Sequence, residues 1–474
     1  MSARTSSSKA RRLLLLCVLA AGAAAVAFLV AFGRIAAGYA ATITALAVFG
    51  SGDELATVRT ERLGLPLGLG SLLEVATEIE GDERVARARF LGLIERRAAW
   101  RAGLGATRLA AGATLEATTL QPAALADLVP PLAEDEPWPR GEAEELAPLP
   151  SGTRAAVEAA LAHAFVEPES GRSRGTHAVV VVQDGRLVAE RYRPGYDRHT
   201  PLLGWSMTKS VMNALAGILV KDGRWTLDGP IAVPEWRKPD DARRAITLDH
   251  LLRMSSGLRF QEEMVTPIPD VLQMLLAVAD MGGYAADMPL EAPPGTRWQY
   301  SSGTTLVLAR AMRHLIGNDD EYHAMPRRVL FERIGMTSAV IETDATGTFV
   351  GSSLMYATAR DWARFGVLYL QDGVWNGERI LPEGWVAYSR TPAPADRSRR
   401  YGAHFWLQVA EGYNSGVAEL PADAFHATGH QGQFVTIVPS RGVVVVRLGI
   451  TRDRDAWDQP AFVKEVLEAL ERDR

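Results

Sequence analysis

The chain reads as an α+β protein with one transmembrane helix in front. An antiparallel sheet is contributed by both ends of a large C-terminal domain, with helices flanking it and a helical subdomain between the two strand groups. Three observations predict this. Short β-branched runs occur near residue 180 and again near residue 440, far apart in sequence. Helix-like blocks broken by Pro and Gly fill residues 240–375 between them. An uncharged apolar run, Leu13 to Gly33, follows a Ser-rich basic start.

Residues 1–12 carry Arg4, Lys9, Arg11 and Arg12 and are expected to form a cytoplasmic tail. At ~1.5 Å per residue, residues 13–33 are long enough to cross a ~30 Å hydrocarbon core. The run is longer than the usual apolar region of a signal peptide. Positive charge ahead of the span predicts an N-terminus in the cytoplasm and an exported, extracytoplasmic remainder. The small-residue pattern Ala45-Leu46-Ala47 leaves one alternative, a protein secreted after signal cleavage. Residues 34–148 mix short apolar runs with acidic and Pro-rich stretches. They are expected to form a membrane-proximal accessory region, part strand and part loop, ending in a linker near 135–150.

From residue 149 to 474 the signals strengthen. Residues 152–165 read as a helix. Val179 to Val182, the Asp184-Gly185 turn and Leu187 to Ala189 read as a β-hairpin. Residues 206–221 are periodic and helical. Phe434 to Pro439 and Val443 to Leu448 read as two strands joined by Ser440-Arg441-Gly442, and a helix from Ala461 to Leu470 closes the chain.

Composition removes several function classes. Apolar residues make up 47% and charged residues 23%, as in an ordinary folded protein. The net charge of −5 is too mild and too evenly spread for a nucleic-acid partner. Cys17 is the sole cysteine, so neither an intrachain disulfide nor a cysteine-built zinc site exists. The nine histidines are scattered without a His-Glu-x-x-His pattern, so no metal site is expected. Gly68-Leu69-Gly70 lacks the third glycine of a dinucleotide fingerprint.

Three motifs carry chemistry. Ser206-Met207-Thr208-Lys209 opens the 206–221 helix, and a spacing of three puts Ser206 and Lys209 on one face, about 5–6 Å apart at Cβ. A lysine there can stabilise the serine alkoxide or, if desolvated, take its proton. Ser6-Ser7-Ser8-Lys9 repeats the pattern in the tail without any such context. Lysine is otherwise confined to Lys221, Lys238 and Lys464. The second motif is Pro294-Gly295 leading to Tyr300-Ser301-Ser302, before an apolar helix from Leu306 to Leu315. A tyrosine near an ammonium can lose its proton more easily and act as a base. The third is Gly429-His430-Gln431-Gly432-Gln433, just before a strand, where a backbone N–H can complete an oxyanion hole.

The order and context of these motifs resemble the serine β-lactamase and penicillin-binding-protein superfamily. The resemblance is to its class C-like hydrolases, including esterases, D-aminopeptidases and 6-aminohexanoate-dimer hydrolase. Thr247 to Leu258 and Thr358 to Gly366 resemble two further stretches of that family. The resemblance covers about residues 150–470. It implies a β-lactamase-like fold and an acyl-enzyme formed on Ser206, with Lys209 and Tyr300 sharing the proton transfers. The backbone N–H groups of Ser206 and Gln433 would form the oxyanion hole. Ser302, His430 and Gly432 would bind substrate. Ser302 and His430 replace the asparagine and lysine by which lactamases hold a β-lactam, which favours an esterase or amidase.

The expected protein is therefore a membrane-anchored serine hydrolase for small amide or ester substrates, without metal or cofactor. Gly204-Trp205-Ser206-Met207-Thr208 lacks the final glycine of an α/β-hydrolase elbow. The other alternative is a membrane-anchored penicillin-binding or sensor module that acylates without efficient turnover.

Overall fold

The computed structural model describes residues 3–63, 71–80, 83–101, 103–109, 130–169, 171–266, 268–410 and 412–473. Gly68-Leu69-Gly70 and much of the stretch before Pro130 lie outside them. One helix, Ala3–Ala45, runs unbroken and ends in a single wide turn, Leu46–Gly50. Residues 13–29 are exposed all round, and Leu13–Gly50 is long and apolar enough to cross a membrane. From Gly33 onward the same helix is largely buried, with Arg34 left exposed. Ala36, Ala37, Ala40, Ala41 and Ile43 join the main core. Gly38 lies so close to the backbone of Leu276 that a Cβ would come within 2.3 Å of its carbonyl oxygen. The helix therefore continues past the expected end of the span and becomes part of the folded body.

It packs on a four-stranded antiparallel meander, β1 (Leu73–Glu80), β2 (Glu83–Phe90), β3 (Ile94–Arg101) and β4 (Gly105–Leu109). This sheet is joined to the rest of the chain by buried polar contacts. Arg101 donates to Thr343 Oγ1 at 2.8 Å, and Ala106 N donates to Glu342 Oε1 at 2.9 Å. Arg108 donates to the carbonyls of Leu275 and Val278.

The principal sheet has five antiparallel strands in the order β12-β13-β14-β5-β6. Its early strands are β5 (Thr176–Gln183) and β6 (Arg186–Tyr192); its late strands are β12 (Phe425–Gly429), β13 (Gln433–Val438) and β14 (Val443–Gly449). Between them in sequence lie the short strands β7 (Leu202–Leu203), β8 (Val340–Ile341), β9 (Met355–Ala357), β10 (Val374–Trp375) and β11 (Glu378–Arg379). The two ends of the domain meet where β14 pairs with β5, Val445 opposite Val181. The continuous valine runs follow from burial on both faces. Val180, Val182, Val444 and Val446 face the core shared with the helical subdomain. Val179, Val181, Val443 and Val445 face the helices Ser151–His163 and Gln459–Leu470. Asp184 and Gly185 both take positive φ, as a two-residue hairpin turn requires.

The stretch expected to be a linker before residue 150 is instead built into the fold. Glu142 accepts from Arg360 at 2.9 Å and from Arg364 at 2.7 Å, and both guanidinium groups are fully buried. Arg360 also pairs with Glu190 at 2.6 Å, and Arg364 donates to the carbonyls of Pro139 and Gly141. Both arginines project from the helix Ala359–Leu370. Each arginine keeps a second carboxylate, Glu190 for Arg360 and Asp361 for Arg364 at 2.8 Å, so loss of Glu142 weakens two buried pairs without leaving either cation alone. Glu142→Ala is expected to destabilise the protein by ~2–3 kcal/mol, measured by chemical denaturation. Glu134→Ala, which removes only surface pairs with Arg198 and His199, should cost no more than about 1 kcal/mol.

Candidate active site

The strand β7 leads into Gly204 and Trp205, then a tight 3₁₀ turn, Trp205–Met207, and the helix Thr208–Lys221. Gly204 is pressed against the indole of Trp362, and its N–H donates to Met355 O at 2.9 Å. Trp205 has φ of +48°, a strained conformation for a bulky side chain. The turn is held from both sides, by β7 pairing with β9 and by Thr208 Oγ1 donating to Trp205 O at 2.6 Å. Ser206 emerges from it half-buried at the start of the helix.

Lys209 is 1% exposed. Its Nζ donates to Ser206 Oγ at 3.1 Å, to Ser302 Oγ at 3.1 Å and to Ser352 O at 2.8 Å. Three donors meet three oxygens, and among the described residues no carboxylate touches the ammonium. Burial lowers its pKa to about 8, with the nearby Glu262 charge acting in the opposite direction. His404 holds the lysine backbone through Nδ1 on Lys209 O at 2.9 Å.

Tyr300 stands over the same ammonium, with Lys209 Nζ 4.9 Å from its ring centroid. Its hydroxyl does not become more acidic, contrary to the sequence expectation. Burial, then the Glu262 charge, push its pKa up, and a hydrogen bond with Ser206 only partly opposes them. Ser302 opens the helix Ser302–Ile316, and Glu262 grips it twice, accepting from Ser302 N and Ser302 Oγ at 2.7 Å each. The sequence drew attention to the motif residues and not to Glu262, Ser352 or His404. Glu262 lies outside the motifs, and Ser352 contributes only a carbonyl, which any residue possesses. Trp298, Tyr300, Tyr401 and Trp406 form one aromatic cluster beside the lysine, with centroid separations of 4.9 to 6.3 Å.

The late-strand motif is brought to the same place, in a different register from the one expected. β12 is the sheet's edge strand. A Cβ on Gly429 would lie 2.2 Å from Gly204 O, so only glycine lets the strand approach the turn that carries Ser206. His426 exchanges both backbone hydrogen bonds with Trp406, outside the ladder, at 2.7 and 2.9 Å. Alternation along an antiparallel strand then turns Ala427 and Gly429 inward to β13, and leaves Thr428 and His430 at the open edge. Gln433 pairs with Gly429, so its N–H belongs to the ladder and not to the site. Its side chain is spent on Gly449, accepting from its N–H at 3.0 Å and donating to its carbonyl. Gly432 also turns away: its carbonyl accepts from Arg447 at 2.7 Å. The exposed His430 packs edge-on against Trp205, with centroids 5.4 Å apart.

Comparisons with known proteins give the family and the fold. A family model described as Beta-lactamase matches residues 155–461. The 6-aminohexanoate-dimer hydrolase of Paenarthrobacter ureafaciens is 29% identical over 226 residues, covering 44% of this chain and 56% of that protein. The chain thus spans little more than half the length of this curated relative. Among solved structures, a family VIII carboxylesterase superposes with a TM-score of 0.53 at 16% identity, covering 69% of this chain and 99% of that one. A penicillin-binding-protein homologue from Caulobacter crescentus gives 0.51 at 17% identity, covering 69% and 98%. These two likenesses establish the fold. With a family model spanning more than half of its length, the chain belongs to the β-lactamase family.

Proposed function

We propose that the protein is a serine hydrolase that cleaves small amides or esters through an acyl-enzyme on Ser206. The observation that carries this reading is the buried Lys209 Nζ at 3.1 Å from Ser206 Oγ, with a pKa brought down to about 8. Near neutral pH a minor but useful fraction of such an amine is unprotonated. It takes the Ser206 proton as Oγ attacks the substrate carbonyl. Oxygen negative charge develops at the open edge of β12, where the backbone N–H groups of Ser206 and His430 serve as the oxyanion donors, His430 replacing Gln433 in this role. As the intermediate collapses, the leaving amine or alcohol takes a proton. Tyr300, kept protonated by its surroundings, is suited to donate it and to be refilled from the Lys209 ammonium. Water then cleaves the ester on Ser206 by the same base.

Ser302 and Glu262 position the lysine rather than react. The aromatic cluster offers an apolar wall to the substrate's acyl or leaving group. His430 flanks the same opening. The exposed apolar stretch at 13–29 supports anchoring in a membrane, and the basic residues ahead of it favour an extracytoplasmic catalytic domain. The 6-aminohexanoate-dimer hydrolase relative directs attention to small linear amides.

Five outcomes test the reading. A fluorescent phosphonate should label the wild type and not Ser206→Ala; labelling of neither would remove Ser206 as nucleophile. Labelling without turnover of any p-nitrophenyl ester, p-nitroanilide or chromogenic cephalosporin would leave an acylating sensor in its place. Lys209→Arg keeps the charge but cannot release a proton, and should lower kcat/KM by ~10²–10⁴. The kcat/KM of the wild type should rise with pH and level off above about 8, because the deprotonated amine is the active form. Glu262→Gln removes the charge that holds the Lys209 pKa up, and should move that rise to lower pH.

A further inference from the structure

The helix Ala3–Ala45 leaves its exposed stretch beside one particular loop. Phe32 packs edge-on against Phe90, with centroids 5.8 Å apart. A Cβ on Gly33 would lie 2.6 Å from Ile94 Cδ1 and 2.7 Å from Phe90 Cδ1. Phe90 ends β2 and Ile94 begins β3, so the turn Leu91-Gly92-Leu93 stands level with the point where the helix becomes buried. This turn carries two large apolar side chains in the open, Leu91 at 44% and Leu93 at 85% exposed.

Basic charge surrounds it. Arg34, the next residue of the helix, is exposed. Arg96 is near enough that the Arg34 charge helps lower its pKa, after burial. Among the described residues neither makes a salt bridge; Arg96 donates only to Glu95 O, at 2.8 Å. The acids nearby are otherwise engaged or outnumbered. Glu95 pairs with Arg89 at 2.7 Å, and Glu74 faces Arg89 across the β1–β2 ladder. An apolar tip near two arginines that lack a salt bridge among the described residues, at the mouth of a lipid-spanning helix, has the chemistry of a bilayer interface.

We propose that the β2–β3 turn is a second membrane contact. Leu91 and Leu93 enter the headgroup–acyl boundary of the leaflet from which the helix emerges, and Arg34 and Arg96 hold anionic phospholipid headgroups. The proposal rests on the anchored reading of residues 13–29. Its consequence is a catalytic domain fixed on the bilayer rather than swinging from it. No flexible stalk intervenes, because the helix continues into the core. Tyr39 and Ile43, about 9–15 Å beyond Gly33 along the helix, wall a cavity together with Trp205 and Gln433. The nucleophile turn is thereby held close to the lipid surface.

Single-cysteine forms of the full chain, labelled with bimane and reconstituted in nanodiscs, test this. The labels sit on native Cys17, on Leu93→Cys with Cys17→Ser, and on Val417→Cys with Cys17→Ser. Val417 is equally exposed, at 85%, on a loop tied to Asp458 through Ser415. The Cys17 label should be quenched by nitroxides at the bilayer centre and shielded from iodide. The label at 93 should be quenched by nitroxides near the headgroup, with iodide quenching about threefold or more below that at 417. Shielding at 93 should be stronger in phosphatidylglycerol than in phosphatidylcholine discs, and the combined Arg34→Gln and Arg96→Gln changes should erase that difference. Iodide access at 93 equal to that at 417, with Cys17 still shielded, overturns the second contact alone. Iodide access at Cys17 overturns the anchor and this proposal with it. A lipid difference that survives the arginine changes removes the headgroup sites.

Discussion

The arrangement depends on keeping one ammonium group out of water. Lys209 gives its three donors to Ser206 Oγ, Ser302 Oγ and the Ser352 carbonyl, which come from three separate segments of the chain. A buried cation without a touching carboxylate is costly, and the cost is what brings its pKa down toward neutrality. The surrounding structure can be understood as the means of holding it there. Glu262 fixes Ser302 at the start of its helix, His404 fixes the lysine backbone, and the Tyr300 ring covers the remaining side.

Glu262 shows how finely such a site is balanced. It raises the pKa of both Lys209 and Tyr300 while never bonding to either. One carboxylate thus acts on both groups, in each case second to burial. In the mechanism proposed, the division of labour between lysine as base and tyrosine as proton donor rests on burial and a single nearby charge, not on the residue types themselves.

The N-terminal third extends the same logic outward. A helix with an unpartnered half and a buried half, a small meander, and a strap pinned by Glu142 all close onto the family's sheet and helical subdomain. Glu142 neutralises two arginines on the helix Ala359–Leu370, whose Phe365 and Gly366 pack under β14 and β13. The strap is thereby coupled to the sheet whose edge strand meets the Ser206 turn.

The sequence by itself determined the elements and most of the chemistry. The valine runs, the Asp184-Gly185 turn, the Ser206–Lys209 spacing and the long apolar start are local patterns, and local patterns are written in consecutive residues. Tertiary structure alone decided which groups face one another. Glu262, Ser352 and His404 lie 53, 143 and 195 residues from the Lys209 motif and carry no pattern of their own. The strand register is the sharpest case. That Gln433 is a ladder residue and His430 an edge residue follows from the bonds between His426 and Trp406, a long-range pairing that no neighbouring residue announces. The same holds for Tyr300, because a pKa is set by the charges and solvent around a group in space, and only the fold determines these.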